Sequence, residues 1–170
     1  YSGTNFFQIN KKPDAGAIID HCKVRIKKKM NASDLYNKII ETGQKRIPIM
    51  IKKLFLKKKL LKNTSKVNLR KRKPGEEVVD WRMSNKFIYN LVRALSKPYV
   101  GTYFIYKKKK YLLEKTSLVK LKSIKESNYE YGRIVRILKD KSFIVKCGEG
   151  FLKVLNTKPK LNVKLNLNIF

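Results

Sequence analysis

The stretch RKRKPGEEVVDW, residues 70–81, divides the sequence into two halves with different hydrophobic patterns. Residues 62–77, which include its first eight residues, gather charge, contain a Pro-Gly pair and lack the apolar periodicity of a helix or a strand. Such a composition is typical of a linker. We therefore predict a linker over residues 63–79, between a first domain over residues 1–62 and a second over residues 80–170.

The sequence before the linker begins with two β-type runs. Residues 2–9 and 22–27 have this character, and the second run alternates strictly between apolar and polar residues. PDAG at residues 13–16 lies between them and is typical of a turn. The pattern predicts a strand, a turn and a second strand.

Two helices are predicted after these strands. Asn31 or Ser33 is a suitable N-cap for a helix that begins near Ala32, and Gly43 supplies its stop. Pro48 suits the first turn of another helix, where its missing N–H would have no intrahelical partner anyway. Two strands followed by two helices are typical of the end of an α/β domain.

The sequence after the linker predicts one helix and then β-structure. Residues 84–95 carry apolar side chains at the spacing of one helix face. Short β-type runs follow at 102–106, 110–114, 117–122, 132–138, 142–147, 151–155 and 162–167. Asp140-Lys141 and residues 148–150 have the composition of hairpin turns. This spacing indicates a small barrel or sandwich, and we predict a five-stranded OB-like β-barrel.

The net charge of +30 has two interpretations. It suits a protein that binds nucleic acid or an anionic surface, with residues 70–73 and 107–110 as the densest basic clusters. However, only eight of the 42 basic residues are arginine, the residue that favours bidentate phosphate and guanine contacts. The lysines can equally reflect the codon bias of an AT-rich genome, so both interpretations stay open.

The cysteines and the hydropathy pattern bound the class of protein. Cys22 and Cys147 lie far apart with no ligand spacing, which predicts reduced core thiols, no metal site and a cytoplasmic location. The sequence has no apolar run of membrane-spanning length and no signal peptide, so no membrane partner is expected. Tyr1 lies in what reads as the middle of a strand, and we expect sequence upstream of it.

Three separated blocks carry a resemblance to a known family. They are PDAGAII at 13–19, RKRKPGEEVVDW at 70–81 and IYNLVRALSKPYVG at 88–101. In this order and spacing they resemble the C-terminal part of the folate-dependent formyltransferases, which include methionyl-tRNA formyltransferase and the sugar-nucleotide N-formyltransferases. The resemblance implies a Rossmann-like α/β catalytic domain, a linker and a small β-barrel, in agreement with the organisation predicted above.

The resemblance also implies the site residues and the formyl donor. The family's catalytic group is an Asn, a His and an Asp, and Asp14 falls at the aspartate. Asn10, Lys11, Lys12 and Pro13 match the loop whose backbone lines the pocket for 10-formyltetrahydrofolate. The family's Asn and His precede the Asp and are expected upstream of Tyr1, so residues 1–170 alone are predicted to be inactive.

The chemistry explains why these residue types are needed. The attacking amine must lose a proton, and the formyl oxygen develops negative charge. A carboxylate bonded to an imidazole raises the histidine's pKa and fixes its tautomer, which is the role implied for Asp14. His21 follows Asp14 instead of preceding it, so we interpret it as a strand-end histidine without a catalytic role.

The acceptor amine has two candidates. RKRKPGEEVVDW and VRALSKPYVG are more similar to the sugar-nucleotide enzymes, which favours an amino-sugar nucleotide. Val100 and Thr102 depart from this pattern, where many members have proline and alanine. The alternative is initiator methionyl-tRNA, which would use the basic clusters for phosphate contacts.

A third candidate belongs to a different class. A complete chain of this composition would be a basic OB-like nucleic-acid-binding module without enzyme activity. Such modules stack bases on exposed aromatic side chains, for which Tyr103, Phe104, Tyr106 and Tyr111 are available. The α/β character of residues 1–62 is unexplained by this alternative.

Overall fold

The computed structural model describes residues 1–12, 15–56, 59–63, 69–121 and 128–170. The chain forms two compact units, unit 1 from Tyr1 to Lys71 and unit 2 from Arg72 to Phe170. The division falls inside the predicted linker 63–79, of which residues 64–68 lie outside the described part. The predicted domain limits, 1–62 and 80–170, stay a prediction.

Unit 1 contains an antiparallel pair of strands. β1 (Ser2–Phe7) pairs with β2 (Ile18–Val24), and Asn5 lies opposite His21. The prediction of a strand over residues 22–27 was wrong in its bounds. The start of β2 depends on pairing with β1 and with Leu61, and such long-range contacts leave no trace in local alternation.

One helix, α1 (Ala32–Phe55), replaces the two that were predicted. Asn31 caps it in a capping box with Asp34, as the sequence indicated. Gly43 does not stop the helix. It is buried, and a Cβ there would lie 3.4 Å from Thr4 Cγ2, so α1 lies close to β1 at this position. Pro48 lies inside the helix, whose packing along the hairpin offsets one missing hydrogen bond.

The carboxylate of Asp20 ties α1 to β2. Its side chain accepts hydrogen bonds from Arg46 Nε and Nη2, both at 2.7 Å, and from Lys53 Nζ at 2.5 Å. Asp20 is only 2% exposed, whereas the two cationic side chains are about one-third exposed. The hydrogen bonds from Arg46, and then those from Lys53, outweigh desolvation and hold the pKa of Asp20 well below its usual range.

Unit 2 contains one helix and a five-stranded sheet. The helix α2 (Asn85–Ala94), capped by Ser84, confirms the prediction for residues 84–95. The strands are β3 (Thr102–Tyr106), β4 (Lys109–Val119), β5 (Ile134–Ile137), β6 (Phe143–Lys146) and β7 (Phe151–Lys158). All pairings are antiparallel, in the order β3-β4-β7-β6-β5.

The OB-like barrel is not confirmed, although the five antiparallel strands are present. In the described part of the chain the sheet stays open between its edge strands, β3 and β5. The runs 110–114 and 117–122 belong mainly to one strand, β4, which bulges near Lys115 and so keeps pairing with β7 across the break in alternation. Residues 162–167 form no strand, and nearby only Asn168 makes an isolated bridge, to Arg133.

The core of unit 2 is built around Trp81. Its ring is 1% exposed and meets Phe104 edge-on, with ring centroids 5.5 Å apart. Phe104 stacks in turn on Tyr111 at 5.4 Å. The buried side chains of α2, Ile88 and Val92, join the same cluster, so the helix packs on the inner face of the sheet.

The turn between β6 and β7 is clamped to the start of α2. Gly148 N donates to Met83 O at 2.8 Å, and Asn85 N donates to Glu149 O at 2.9 Å. A Cβ on Gly148 would lie 1.8 Å from the backbone oxygen of Arg82, so only glycine fits. This close contact fixes the chain after Trp81 against the sheet.

Replacing Gly148 with alanine should therefore destabilise unit 2. We expect Gly148→Ala to lower the free energy of unfolding by about 3 kcal/mol, because a backbone oxygen cannot move aside cheaply. Gly75→Ala is the matched control. Gly75 has φ +95° but nothing within 4 Å of its added Cβ, so only a conformational cost of about 1 kcal/mol is expected. Denaturation followed by the fluorescence of Trp81, the single tryptophan, measures both, and equal losses would contradict the steric clash.

The buried carboxylate predicts acid sensitivity of unit 1. Because the folded-state pKa of Asp20 lies below its unfolded value of 3.8, its stabilising effect is present above about pH 4 and is lost as the pH falls further. Asp20→Asn should cost about 2 kcal/mol at neutral pH and should flatten this acid dependence. That cost is below the one for a fully buried pair, because water can hydrate Arg46 and Lys53 once they lose the carboxylate.

The control for Asp20 is an exposed carboxylate on α1, the helix that carries Arg46 and Lys53. Hydrogen bonds from Lys45, and then from Lys38, lower the pKa of Glu41 to about 2, but water screens these pairs. Glu41→Gln should therefore keep the acid dependence of the wild-type chain. Urea denaturation followed by far-UV circular dichroism at several pH values tests both variants. An acid dependence that Asp20→Asn leaves unchanged would contradict the assignment.

Candidate functional site

The loop between β1 and β2 contains the predicted site and has a tightly closed neck. Gln8 N donates to Ala17 O at 3.0 Å. A Cβ on Gly16 would lie 1.5 Å from Gln8 O, so glycine is required where the two sides of the neck meet. The loop is therefore held at both of its ends.

The predicted site residues lie within this loop. Pro13 and Asp14 lie outside the described residues. Asn10, Lys11 and Lys12 are described and exposed, and Asn10 Oδ1 accepts a hydrogen bond from Lys12 N at 2.9 Å. The structure thus brings the three together in a turn directly before Asp14, and their roles stay a prediction.

The chain that leaves the loop enters a strand that is supported on both sides. Ile18 pairs with Phe7 of β1 and makes an antiparallel bridge to Leu61. The bridge has both backbone hydrogen bonds, Ile18 N to Leu61 O at 2.8 Å and Leu61 N to Ile18 O at 3.0 Å. A site loop anchored on a rigid element keeps its side chains in a narrower range of positions.

His21 lies on β2 with an exposed side chain, opposite Asn5. It belongs to the face that does not pack on α1, whereas the adjacent Asp20 is buried under the helix. A cavity of about 580 Å³ is lined by Tyr1, Ser2, Gly3, Asn5, His21, Cys22 and Lys23. This exposed position agrees with an interpretation of His21 as a surface strand residue.

The acid-tryptophan pair of the second block has a structural role in unit 2. Trp81 is buried, and the carboxylate of Asp80 accepts hydrogen bonds from Arg82 N at 2.9 Å and from the Arg82 guanidinium. The side-chain hydrogen bonds from Arg82 lower the pKa of Asp80. A carboxylate that is ionised at neutral pH is a poor proton donor, so Asp80 is not suited to act as a general acid.

Sequence reasoning missed the cluster of Asp20, Arg46 and Lys53. Its signal was nevertheless present. Asp20 shares the inner face of β2 with Val24, where an apolar residue is expected, and the two cations lie seven residues apart on one face of α1. A carboxylate in an apolar position and two cations with helical spacing together indicate a buried ion pair.

The described residues include histidine, cysteine and carboxylate side chains that are candidate metal ligands or nucleophiles. No group of three or more His, Cys, Asp or Glu in this part of the chain is arranged to hold a metal ion. Cys22 and Cys147 form no disulfide; Cys147 is buried and Cys22 is partly exposed. No described helix has the length and apolar character needed to cross a membrane.

A curated protein with a similar sequence is the bifunctional polymyxin resistance protein ArnA of Wigglesworthia glossinidia brevipalpis. It is 26% identical over 161 residues, which cover 92% of this chain and 23% of ArnA. The chain therefore spans about a quarter of the length of this relative.

Two solved structures are similar in fold. HypX from Aquifex aeolicus in complex with tetrahydrofolic acid aligns with a TM-score of 0.70 and 15% identity, covering 91% of this chain and 27% of HypX. Methionyl-tRNA formyltransferase from Clostridium thermocellum aligns with a TM-score of 0.51 and 16% identity, covering 68% of this chain and 50% of that enzyme. At these identities the likeness shows the fold alone.

The family itself follows from the second half of the chain. Residues 71–170 match the family described as "Formyl transferase, C-terminal domain", and the match covers more than half of the sequence and all of unit 2. These residues include α2, the five-stranded sheet and the buried Trp81. The chain belongs to the formyl transferase family and contains its C-terminal domain.

Proposed function

We propose that the full-length protein transfers a formyl group from 10-formyltetrahydrofolate to a primary amine in the cytoplasm. The match of residues 71–170 to the formyl transferase C-terminal domain carries this proposal. The fold shared with HypX, whose structure contains tetrahydrofolic acid, supports a folate donor. The sequence similarity to ArnA covers 92% of the chain and therefore extends into residues before the family match.

Asp14 is the catalytic residue that this chain supplies in the proposal. Its carboxylate would accept a hydrogen bond from an imidazole, hold the tautomer of that ring and favour its protonated form. The resemblance assigns this histidine, and an asparagine that stabilises the formyl oxygen, to sequence before Asp14. The closed neck at Gln8 and Ala17 supports the role of Asp14, because it restricts the loop from both ends.

The same loop would bind the donor through its backbone. Asn10, Lys11 and Lys12 are exposed residues of the loop that leads to Asp14, and peptide groups can pair with the polar edge of a pterin ring. Lys11 and Lys12 are exposed, but they are two of 34 lysines in the chain. Their charge therefore does not identify them as ligands of the donor. The backbone of residues 10–13 is therefore the proposed donor-binding element.

The acceptor that we propose is an amino-sugar nucleotide. The blocks RKRKPGEEVVDW and VRALSKPYVG support it, as does the sequence similarity to ArnA. Initiator methionyl-tRNA is the second candidate, because the chain shares its fold with a methionyl-tRNA formyltransferase and carries a net charge of +30.

Substitution of Asp14 tests the catalytic assignment. The reading frame is first extended upstream, where an Asn-x-His motif is expected a few dozen residues before Asp14. In that longer enzyme Asp14→Asn should lower turnover by about 10³-fold while the fold is retained, because the imidazole loses its charged partner. His21→Gln removes the nearby histidine and should keep activity. An Asp14→Asn enzyme with near-normal turnover would remove Asp14 from the mechanism, and residues 1–170 alone should be inactive.

A direct comparison of substrates tests the acceptor. The longer enzyme is given an amino-sugar nucleotide or charged initiator tRNA together with 10-formyltetrahydrofolate, and formyl transfer to each is measured. We expect a higher kcat/KM for the sugar nucleotide. Efficient formylation of the tRNA, with tRNA binding that weakens steeply as the salt concentration is raised, would instead identify initiator methionyl-tRNA as the acceptor.

A further inference from the structure

We propose that unit 2 contains a nucleotide-binding site, in which a base stacks on Tyr103 and phosphates bind Lys110 and Lys158. These residues lie on neighbouring strands of the open sheet. Tyr103 on β3 is opposite Leu112 on β4, and Leu112 is opposite Lys158 on β7. Residues directly opposite one another in a sheet point to the same side, so Tyr103, Leu112 and Lys158 form one row.

This row lies on the outer face of the sheet. Side chains alternate along a strand, and the neighbours of Tyr103 and Leu112, namely Phe104 and Leu113, are buried in the core. The helix α2 packs on that inner face. Tyr103 and Leu112 are only partly buried, and Lys110 and Lys158 are exposed. The outer face is therefore available to a ligand.

The structure changes the earlier choice of stacking residues. Phe104 is 1% exposed and stacks on Tyr111, and Tyr106 also packs against the core cluster. The prediction of Phe104 as a candidate for base stacking was wrong, because the even-numbered positions of β3 face inward. Among the four aromatic candidates, Tyr103 is the one on the outer face.

A cavity of about 350 Å³ lies over this face. It is lined by Glu77, Val100, Tyr103, Lys110, Leu112 and Lys158. The volume is in the range of small-molecule sites, which combine apolar walls with a few placed polar groups. Leu112 and Val100 supply apolar wall, and the ring of Tyr103 supplies a flat surface between two ammonium groups and one carboxylate.

The position of Lys110 identifies the chemistry of the ligand. Its Nζ lies 4.6 Å from the centroid of the Tyr103 ring, a cation–π contact. A planar base can take the place of the ammonium on the ring, and the flexible lysine can then bind a phosphate of the same nucleotide. Stacking and charge are thus satisfied by one ligand, and every nucleobase has a face suited to such stacking.

The backbone of residues 77–79 holds Tyr103 in place from the edge of β3 that does not pair with β4. Tyr103 N donates to Glu77 O at 3.2 Å, and Val79 N donates to Tyr103 O at 2.7 Å. The side chain of Glu77 accepts a hydrogen bond from Gly75 N at 3.1 Å and also borders the cavity. Its carboxylate can accept from a sugar hydroxyl but repels a free anion. This favours a whole nucleotide over phosphate alone.

Binding of nucleotides to the whole chain tests the site. ADP and UDP are titrated by calorimetry, with inorganic pyrophosphate as the probe for charge alone. We expect both nucleotides to bind, with pyrophosphate about tenfold weaker because it lacks the stacked base. Tyr103→Leu should weaken ADP binding about tenfold while keeping an apolar side chain. Lys110→Gln with Lys158→Gln should weaken it and reduce its salt dependence.

The control removes one positive charge from a different face of unit 2. Lys86 is exposed on α2, which packs on the opposite face of the sheet, so Lys86→Gln should leave nucleotide binding unchanged. A chain that binds neither nucleotide would overturn the proposal. So would pyrophosphate binding as tight as that of ADP, or an affinity that Tyr103→Leu leaves unchanged. Near-ultraviolet circular dichroism of Trp81 verifies that each variant is folded.

One further titration distinguishes a free nucleotide from a single-stranded nucleic acid as the ligand. A short oligouridine that binds at least tenfold tighter than UDP identifies a single strand as the ligand, whereas equal affinities identify a free nucleotide. Either result supports the same stacked base and bound phosphate. The assay contains neither folate nor a formyl acceptor, so its failure would leave the proposed formyl transfer untouched.

Discussion

The buried carboxylate of Asp20 is the interaction on which unit 1 depends. A strand pair alone is marginally stable in water, and β1 and β2 need the cover that α1 provides. Asp20 on β2 joins the strand pair to the helix, because it accepts hydrogen bonds from Arg46 and Lys53, which lie on one face of α1. The loop with the proposed catalytic residue lies between those strands, so an ion pair away from the loop helps to fix the loop's two ends.

In unit 2 the corresponding role belongs to close backbone contacts and not to a buried ion pair. Trp81 fills the core, and the residues after it lie so near the β6–β7 turn that Gly148 has no room for a side chain. The match to the formyl transferase C-terminal domain spans this arrangement. The acid-tryptophan pair that signalled the family in the sequence is therefore explained by packing, with Asp80 bound to Arg82 and the indole buried. A motif can identify a family without containing its chemistry.

Local signals predicted local structure well, and long-range contacts limited the rest. Ser84 and the apolar face behind it gave α2, and Asn31 gave the start of α1, because caps and periodicity act within a few residues. Gly43 misled because it serves contact with Thr4, a residue remote in sequence. The break in β4 and the openness of the sheet likewise depend on pairing partners that a single strand does not reveal. For the site, the blocks led to the proposal of the loop of residues 10–14, whereas the Asp20 cluster required knowing which helix face meets β2.

The use of arginine shows why the high charge says little about the acceptor. Arg46, Arg82 and Arg133 bind Asp20, Asp80 and Glu130 within their own units. At least three of the eight arginines therefore use their guanidinium groups in ion pairs within the fold. The 34 lysines create a positive potential that attracts any anion, whether nucleotide or nucleic acid, and that salt screens. Selectivity must then come from shape. Where a lysine lies over an aromatic ring in a concave site, as Lys110 does over Tyr103, the same general charge can contribute to recognition of a particular ligand.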